Sequence, residues 1–452
     1  MSEIYELTAI YRISKSYVLK TFEHFFNPFT VVGAENIPHD GTIIFAPNHL
    51  NALMDALAVL DICPKHFSVS FLARADIFKK PLLAKFLRFA KIMPAYRSRD
   101  GFEQLGKNQA VFEQCVHLLQ KGNALCIMPE GNQGELQQLR PLVKGIFRIA
   151  FATQQALGTS KNVRIVPIGI DYGSITKFGK HAIVNIGQPI DVADYIEQYN
   201  NNPAIATNAL RKKLSDDISS LMLDIRTTKH YTFFQSVLNT SLAIVEKCCS
   251  ANVLDKFKAQ KVLNNELHYL EANDYDFGTL PQSCEVYEQL LAKHKLRAIN
   301  LHAHEKPALS YWWLAASGTL FLWSFVFHFL TFMLPLFLRR AMRVEYEGFF
   351  ASIQYAIGIV SFPLFYLLQT LAIFSLFDIS IFLAPLFMVF HYFMWRWSLG
   401  IYAKYRAFFA YQKLKRMRNN NHPDIAQLQQ LHNEIIGFIQ QLNLPVFEKS
   451  KF

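Results

Sequence analysis

Three long stretches without a charged residue, all in the C-terminal half, constrain this chain most. Residues 307–338, 348–377 and 379–395 contain no Lys, Arg, Asp or Glu, and they are 32, 30 and 17 residues long. About 20 apolar residues cross a bilayer as a helix, so the first two stretches predict membrane-spanning helices and the third is borderline. A large soluble core can imitate one such stretch but hardly three in succession. The aromatic residues near their ends, as expected at membrane interfaces, are Tyr311, Trp312, Trp313, Trp395 and Trp397.

Basic residues beside these stretches leave two topologies open. One cluster at residues 339–343 follows the first stretch, and a second at residues 404–418 follows the third. If both clusters face the cytoplasm, the second and third stretches form a hairpin that turns at Asp378. The first stretch is then re-entrant, with a break allowed by Gly318 and Pro335, or the N-terminal domain lies on the opposite side.

The composition excludes disorder and disfavours a simple nucleic-acid binder. Of 452 residues, 51% are hydrophobic and only 18% are charged, although the net charge is +11. A chain this apolar can bury a core, and nucleic-acid binders carry more charge on one face. The combination is typical of a membrane protein with anionic partners.

Residues 74–99 are basic and amphipathic. They contain eight basic residues against Asp76 alone, with apolar residues such as Leu82 and Phe86 between them. Such segments bind anionic lipid surfaces, so we expect this one to dock the domain on the bilayer. The basic residues are Arg74, Lys79, Lys80, Lys85, Arg88, Lys91, Arg97 and Arg99.

Residues 1–30 predict an amphipathic helix. No uninterrupted apolar core marks a signal peptide, and the apolar residues recur at helical spacing. The helix either packs on the following domain or lies on a membrane. Its apolar residues are Leu7, Ile10, Ile13, Val18, Leu19, Phe22 and Phe26.

The six cysteines fit a reducing compartment. None has the C-x-x-C spacing of a zinc or redox site, and no disulfide framework is indicated. We interpret them as scattered core residues. They are Cys63, Cys115, Cys126, Cys248, Cys249 and Cys284.

Residues 31–230 differ from the rest of the chain, because short β-rich runs alternate there with helical stretches such as residues 102–121 and 144–157. The pattern predicts an α/β domain with a mostly buried sheet flanked by helices. Ligands of open α/β sheets bind at the carboxyl ends of strands, so the residues after each strand are site candidates. The β-rich runs are residues 42–46, 67–72, 124–128, 163–170 and 182–186.

Four sequence blocks lie near such positions. Residues 47–55 read PNHLNALMD, 92–97 IMPAYR, 128–134 MPEGNQG and 166–169 VPIG. In this order they resemble the NH-x(4–5)-D, I-x-P-x-x-R, F-P-E-G and V-P-[IV]-x blocks of the PlsC-type glycerolipid acyltransferases. The resemblance covers roughly residues 30–230.

Two departures from the commonest family pattern resemble the branch of fungal-type sn-1 glycerol-3-phosphate acyltransferases. Five residues separate His49 from Asp55, and the Pro-Glu-Gly run continues with Asn132. The resemblance implies a glycerol-3-phosphate acyltransferase-like fold and a thioester co-substrate, acyl-CoA or acyl carrier protein, with no further cofactor. The implied acceptor is glycerol 3-phosphate or its 1-acyl derivative.

His49 and Asp55 are the candidate catalytic residues. Attack of an alcohol on a thioester needs a general base, and histidine suits this role near neutral pH. A carboxylate can orient the imidazole and stabilise its charged form. Six positions on an ideal helix leave side chains about 120° apart, so His49 is expected in the loop and Asp55 in the helix. No G-x-S-x-G nucleophile motif is present, which favours direct attack by the acceptor hydroxyl.

Cationic residues are expected to hold an anionic acceptor. Arg97 can bind a phosphate through two parallel hydrogen bonds, whereas Arg140 and Lys144 are equally well explained as solvated surface charges. By resemblance, Glu130 contacts the glycerol hydroxyls or shapes the site. We found no metal-ligand cluster. The predicted substrate-binding residues are Asn48, Arg97, Glu130, Gly131, Arg140 and Lys144.

The expected organisation is an integral membrane acyltransferase with its catalytic domain facing the cytoplasm. One rival acceptor is another lysophospholipid. A rival of a different class is a membrane scaffold with an inactive acyltransferase domain, which the intact site residues disfavour. The predicted segments are an N-terminal helix (1–30), the acyltransferase domain (31–230), a helical connector (231–305), the transmembrane region (306–402) and an amphipathic tail (403–452).

Overall fold

The computed structural model describes residues 8–65, 67–96, 104–248, 252–302 and 311–448. The chain divides into two compact units. The first unit comprises residues 1–224 and 344–355, and the second comprises residues 225–343 and 356–452. A short segment from far along the chain therefore belongs to the first unit.

An eight-stranded sheet forms the centre of the first unit, within the described residues. The strand order is β1-β7-β6-β2-β5-β3-β4, and β8 pairs with β6. Strand β2 lies between β5 and β6 and is parallel to both, while β6 and β7 are antiparallel. The strands are β1 (Phe29–Val32), β2 (Thr42–Pro47), β3 (Val69–Arg74), β4 (Ile92–Ala95), β5 (Ala124–Cys126), β6 (Val163–Tyr172), β7 (Ala182–Ile186) and β8 (Ile190–Asp191).

Helices flank this sheet, which confirms the predicted α/β class. Every residue of β2 and β7 is buried, as expected for strands covered on both faces. One core cluster joins strands β2, β5 and β6 to apolar residues of helices α4, α5 and α7. The helices of the first unit are α1 (Ala9–Phe25), α2 (Ala52–Ile62), α3 (Pro81–Phe89), α4 (Gln104–Gln120), α5 (Gly145–Leu157), α6 (Ile196–Asn201) and α7 (Pro203–Leu221).

The predicted N-terminal helix is present and packs on the following domain through part of its length. Phe22 and Phe25 of α1 are buried, whereas Ile10 and Ile13 are 70% and 71% exposed. The C-terminal half of α1 therefore packs on the sheet domain, and its N-terminal half presents apolar side chains outward. Leu7, which the pattern placed on the same helix, lies outside the described residues.

The second unit is helical in its described part. Helix α13 begins in the residues assigned to the first unit and continues into the second. The helices are α8 (Tyr231–Cys248), α9 (Val253–Ala272), α10 (Leu280–Lys293), α11 (Ala298–His302), α12 (Tyr311–Ala341), α13 (Phe350–Leu376), α14 (Ala384–Asn419), α15 (Pro423–Gln441) and α16 (Pro445–Glu448).

Two helical spans in the described residues are long and apolar enough to cross a membrane, Ala316–Ala341 and Glu347–Leu376. Only 22% and 17% of their apolar windows are buried within the protein, whereas a core helix of a soluble protein is mostly covered. The borderline third stretch falls largely in α14 and is not among these candidate spans.

Polar side chains of α12, α13 and α14 bond to one another. Ser324 Oγ donates to Ser398 Oγ over 2.9 Å, and Gln369 Nε2 donates to the carbonyl oxygen of Phe327 over 2.7 Å. Hydrogen bonds of this kind hold apolar helices together where no water competes.

Candidate active site

The carboxyl ends of β2, β5 and β6 meet at one edge of the sheet and carry the candidate site. His49 follows β2, Glu130 follows β5, and Tyr172 is the last residue of β6. Because β2 is parallel to both neighbours, these three side chains come together although the chain separates them by up to 123 positions. The predicted edge of the sheet is thus where the polar residues converge.

His49 and Asp55 are in contact as the spacing predicts. His49 lies in the loop before α2, and Asp55 lies in the first turn of that helix. The distance from His49 Nδ1 to Asp55 Oδ2 is 2.9 Å. Since a carboxylate only accepts hydrogen bonds, Nδ1 carries the proton in this pair, and Nε2 is left as the basic nitrogen. The His49 side chain keeps 16% of its surface exposed, whereas that of Asp55 is fully covered.

The buried Asp55 carboxylate accepts four hydrogen bonds. Besides His49, the backbone N–H groups of Leu50 and Asn51 donate to Oδ2 over 2.9 and 2.8 Å. The Tyr172 hydroxyl donates to Oδ1 over 2.7 Å. A buried charge is costly unless such donors replace its water. Burial, and then the Asp55 charge, raise the pKa of Tyr172 well above its usual value, so its phenol stays a donor.

Glu130 joins the His49 loop to the Pro-Glu-Gly block. Its Oε1 accepts the backbone N–H of His49 over 2.7 Å, and its Oε2 accepts the backbone N–H and the Nε of Arg140 over 3.1 and 3.3 Å. Burial raises the pKa of Glu130, while the two backbone donors and the Arg140 charge work in the opposite direction. The Glu130 carboxylate therefore holds the backbone of the loop that carries His49 by a hydrogen bond.

Backbone conformation at the site is unusual at two positions. Ala52, between His49 and Asp55, has φ +39°, a region that non-glycine residues adopt at a cost. Gly131 has φ +70°, and a Cβ there would lie 3.2 Å from a Val143 methyl. Glycine is thus required after Glu130 by conformation and space.

The remaining predicted residues fall in different surroundings. Asn48 is buried, and its side chain exchanges two hydrogen bonds with the backbone of Ile170, at 2.6 and 3.1 Å. Lys144 is exposed just before α5. Arg140 is partly exposed, and its Nη2 is buried without a hydrogen-bond partner in the described residues. Arg97 lies outside the described residues.

Residues 344–355 contribute contacts that sequence reasoning missed. The Tyr346 hydroxyl donates to the carbonyl oxygen of Gly134 over 2.7 Å, and Ser352 Oγ accepts the backbone N–H of Leu53 over 3.1 Å. No local pattern signals these contacts. Tyr172, also missed, could have been found as a polar residue just beyond a predicted strand.

The basic stretch forms an exposed amphipathic surface around α3. Leu82 and Phe86 are 87% and 59% exposed, and Lys79, Lys80, Lys85 and Arg88 are exposed beside them. The placement of Lys91 on that surface is wrong. Its side chain is buried, and Nζ donates to Ser68 Oγ over 2.8 Å. The Tyr11 ring, 4.9 Å from Nζ, adds a favourable cation–π contact.

The described cysteines Cys63, Cys115, Cys126 and Cys284 are free and buried, which confirms their interpretation as core residues. Burial raises the pKa of the Cys63 thiol to about 11 and that of Cys115 to about 12. These thiols are therefore poor nucleophiles.

In the second unit, His294, His422 and Asp424 bring three potential metal-ligand atoms within 4.8 Å of one another, which sequence spacing did not reveal. Asp424 Oδ2 is already bound by Lys293 Nζ at 2.5 Å and His294 Nε2 at 2.7 Å. These hydrogen bonds, Lys293 first, lower the pKa of Asp424 to about 2. The cluster is an ion-paired junction between the end of α10 and the start of α15.

Comparisons with known proteins cover the part of the chain that carries the site. Residues 28–171 match the family model described as Acyltransferase. The chain is 31% identical over 118 residues to glycerol-3-phosphate O-acyltransferase 1 of Saccharomyces cerevisiae, covering 26% of this chain and 15% of the yeast protein. It is 25% identical over 191 residues to the chloroplastic 1-acyl-sn-glycerol-3-phosphate acyltransferase BAT2 of Brassica napus, covering 42% and 50%.

Among solved structures, the 1-acyl-sn-glycerophosphate acyltransferase PlsC from Thermotoga maritima aligns with a TM-score of 0.32 and 19% identity, covering 46% of this chain and 83% of that one. The chain spans half or less of the length of the curated relatives named above.

Proposed function

Because residues 28–171 form an acyltransferase domain homologous to glycerolipid acyltransferases, we propose that this protein is a membrane-bound glycerolipid O-acyltransferase. It transfers a fatty acyl group from acyl-CoA or an acyl carrier protein to a hydroxyl of glycerol 3-phosphate or 1-acylglycerol 3-phosphate. The observation that carries the proposal is the His49 imidazole held by a buried carboxylate at 2.9 Å. We take the proposed substrate class, glycerol 3-phosphate or its 1-acyl derivative, from the names of the relatives.

The proposed reaction is direct acyl transfer with His49 as general base. His49 Nε2 takes the proton of the acceptor hydroxyl as its oxygen attacks the thioester carbonyl carbon. The new C–O bond forms, the C–S bond breaks, and the imidazolium returns the proton to the leaving thiolate. Asp55 keeps Nδ1 protonated and stabilises the imidazolium while it lasts.

Cations near the site supply the proposed phosphate contacts. Arg140 has its Nε on Glu130 and a further nitrogen without a partner in the described residues, so a phosphate oxygen is a fitting ligand. Lys144 follows four positions later in the same loop. We assign Arg97, from the second sequence block, to the same task. Glu130 and Gly131 shape the wall of the site, and Asn48 fastens the His49 loop to β6.

An acyl-transfer assay on membranes tests the function. Membranes containing the protein are given labelled acyl-CoA or acyl carrier protein with a panel of acceptors: glycerol 3-phosphate, 1-acylglycerol 3-phosphate and other lysophospholipids. We expect His49→Ala to lower kcat by about 10²- to 10⁴-fold, the usual contribution of a general base. His39→Ala, at an exposed position, is the matched control.

The acceptor panel separates the alternatives. If acyl groups are transferred only to another lysophospholipid, the proposed acceptor is wrong but the proposed acyl-transfer chemistry stands. Equal incorporation by wild type and His49→Ala would sink the enzyme proposal and leave a membrane scaffold with an inactive domain.

Anionic membrane lipids are the proposed partner of the α3 surface, defined as Leu82 and Phe86 with Lys79, Lys80 and Lys85. Exposed apolar side chains beside cations match the chemistry of an anionic bilayer surface. Docking there would deliver acyl chains to the site without passage through water. The two apolar spans, Ala316–Ala341 and Glu347–Leu376, are proposed to anchor the chain in the same membrane.

A site-specific fluorophore tests this docking in the full chain. With Cys248 and Cys249 replaced by serine, an environment-sensitive label at Phe86→Cys should shift to the blue in anionic proteoliposomes and be quenched by brominated lipids. The control, Ile205→Cys on α7, is also an exposed apolar position and should do neither. Identical spectra at the two positions would refute docking through α3.

A further inference from the structure

Residues 344–355 follow the first candidate membrane span and include the beginning of the second, yet they belong to the unit that holds the active site. We call them the inter-span segment. Within the first unit the segment makes contacts with three parts of the acyltransferase domain: the Pro-Glu-Gly loop, the start of α2 and helix α1. Its place at the junction of the two spans suggests a connector, but its contacts are with residues of the site.

The first contact is linked to His49 through the backbone of Gly134. Tyr346 donates to the carbonyl oxygen of Gly134 over 2.7 Å. The N–H of Gly134 donates in turn to the carbonyl oxygen of His49 over 3.0 Å. The Tyr346 hydroxyl thus holds Gly134, the residue whose N–H bonds to the His49 carbonyl oxygen.

The second contact caps helix α2, which carries Asp55, with a residue that is distant in sequence. Helix α2 begins with Asn51 at its N-cap, but the Asn51 side chain makes no capping hydrogen bond. Ser352 Oγ accepts the N–H of Leu53 over 3.1 Å instead and lies 3.3 Å from the carbonyl oxygen of Asn51. Ser352, 299 positions away in the sequence, therefore accepts the hydrogen bond that an N-cap side chain usually accepts.

The segment is fitted closely and held at its far end. A Cβ on Gly348 would lie 3.0 Å from the carbonyl oxygen of Leu50, so the close approach to the loop depends on glycine. At the other end, Tyr355 donates to the carbonyl oxygen of Val18 over 2.6 Å and lies 2.8 Å from Thr21 Oγ1. Helix α1 thereby anchors the segment.

We propose that the inter-span segment is a built-in part of the active site, with Tyr346 and Ser352 as positioning residues for the His49–Asp55 pair. This inference rests on the proposed function. Ser352 lies in the first turn of α13, within the second candidate span.

Kinetics of hydroxyl-deletion variants test the positioning role. Ser352→Ala should lower kcat about five- to tenfold, as the loss of a helix cap implies, with KM for donor and acceptor unchanged. Tyr346→Phe should act in the same way. Ser352→Thr keeps the hydroxyl and should recover most of the lost rate. Ser361→Ala removes a hydroxyl of the same helix that makes no hydrogen bond within the described residues, and should be silent.

The outcomes separate this inference from the proposed function. If wild type shows no transfer, the function is wrong. If wild type transfers acyl groups but Ser352→Ala and Tyr346→Phe match it in kcat, the function stands and the positioning role is overturned. Equal decreases in Ser352→Ala and Ser352→Thr would also overturn it, because the hydroxyl would not be what matters.

Labelling of single cysteines supplies a test that does not need activity. In the chain lacking Cys248 and Cys249, Glu345→Cys reports on the inter-span segment and Ser160→Cys on the acyltransferase domain; both positions are exposed, and the four described cysteines are buried. A membrane-impermeant maleimide should label both from the same face of sealed vesicles. Labelling from opposite faces would overturn the proposal.

Discussion

Two sets of residues hold the loop that carries His49, and they differ in what they touch. Asp55 and Glu130 lie inside the region that matches the acyltransferase family; one bonds the imidazole and the other the His49 N–H. Tyr346 and Ser352 lie in the inter-span segment outside that region, and their hydroxyls bond to backbone groups of Gly134, Leu53 and Asn51.

The two sets therefore have different roles: the first acts on the chemistry of His49, and the second on the rigidity of the backbone around it. The local set supplies buried carboxylates that bond His49 Nδ1 and the His49 N–H, so its loss changes the protonation and orientation of His49. The distant set supplies neutral hydrogen bonds to backbone, each worth about 1 kcal/mol in typical proteins. We therefore expect the local set to dominate the rate and the distant set to modulate it.

Asp55→Asn tests the local set at its strongest point. The amide can donate as well as accept, so it no longer forces the proton onto His49 Nδ1, and Nε2 loses its role as base. We expect kcat to fall by about 10²- to 10⁴-fold, by analogy with removal of the carboxylate in catalytic triads. The assay is acyl transfer on membranes with the preferred acceptor.

Asp61→Asn is the matched control on the same helix. Burial raises the pKa of Asp61 to about 6, and its side chain is not part of the site. If Asp55→Asn lowers kcat no further than Ser352→Ala does, the ranking of local over distant contacts is wrong.

The sheet could be predicted where its strands are buried on both sides and not at its edges. The runs at β2, β6 and β7 are apolar and β-branched, and the observed strands begin at the predicted residues. Strands β1, β4 and the two-residue β8 were missed; β1 and β4 are the two ends of the strand order, and β8 pairs with β6 off that path. Edge strands are short and half-exposed, so no continuous buried apolar run marks them in the sequence.

The site could be predicted only where its residues are close in sequence or follow a strand. The spacing of His49 and Asp55 predicted one residue in the loop and one in the helix, and the structure confirms that placement. Ser352 has no such signal, because the N–H that it binds is 299 positions away. Lys91 was misplaced on the surface, since a run of basic residues does not reveal which one turns inward to Ser68.

Glu130→Gln tests the weaker member of the local set through pH. Burial raises the pKa of Glu130, so protonation begins at a higher pH than for an ordinary glutamate, and a protonated oxygen no longer accepts from His49 or Arg140. Activity is therefore present above this pKa and lost as pH falls through it. The acid limb of kcat/KM should therefore include a contribution from the Glu130 carboxyl.

In Glu130→Gln the carboxyl no longer titrates, so the acid limb should lose the contribution of Glu130 and move to lower pH. At neutral pH we expect about a tenfold lower kcat, from the loss of charge-assisted hydrogen bonds. Glu113→Gln, at an exposed position on α4, should keep both the rate and the acid limb of the wild type. An unchanged acid limb in Glu130→Gln would show that Glu130 does not set it, and would leave Asp55 alone as the charged support of His49.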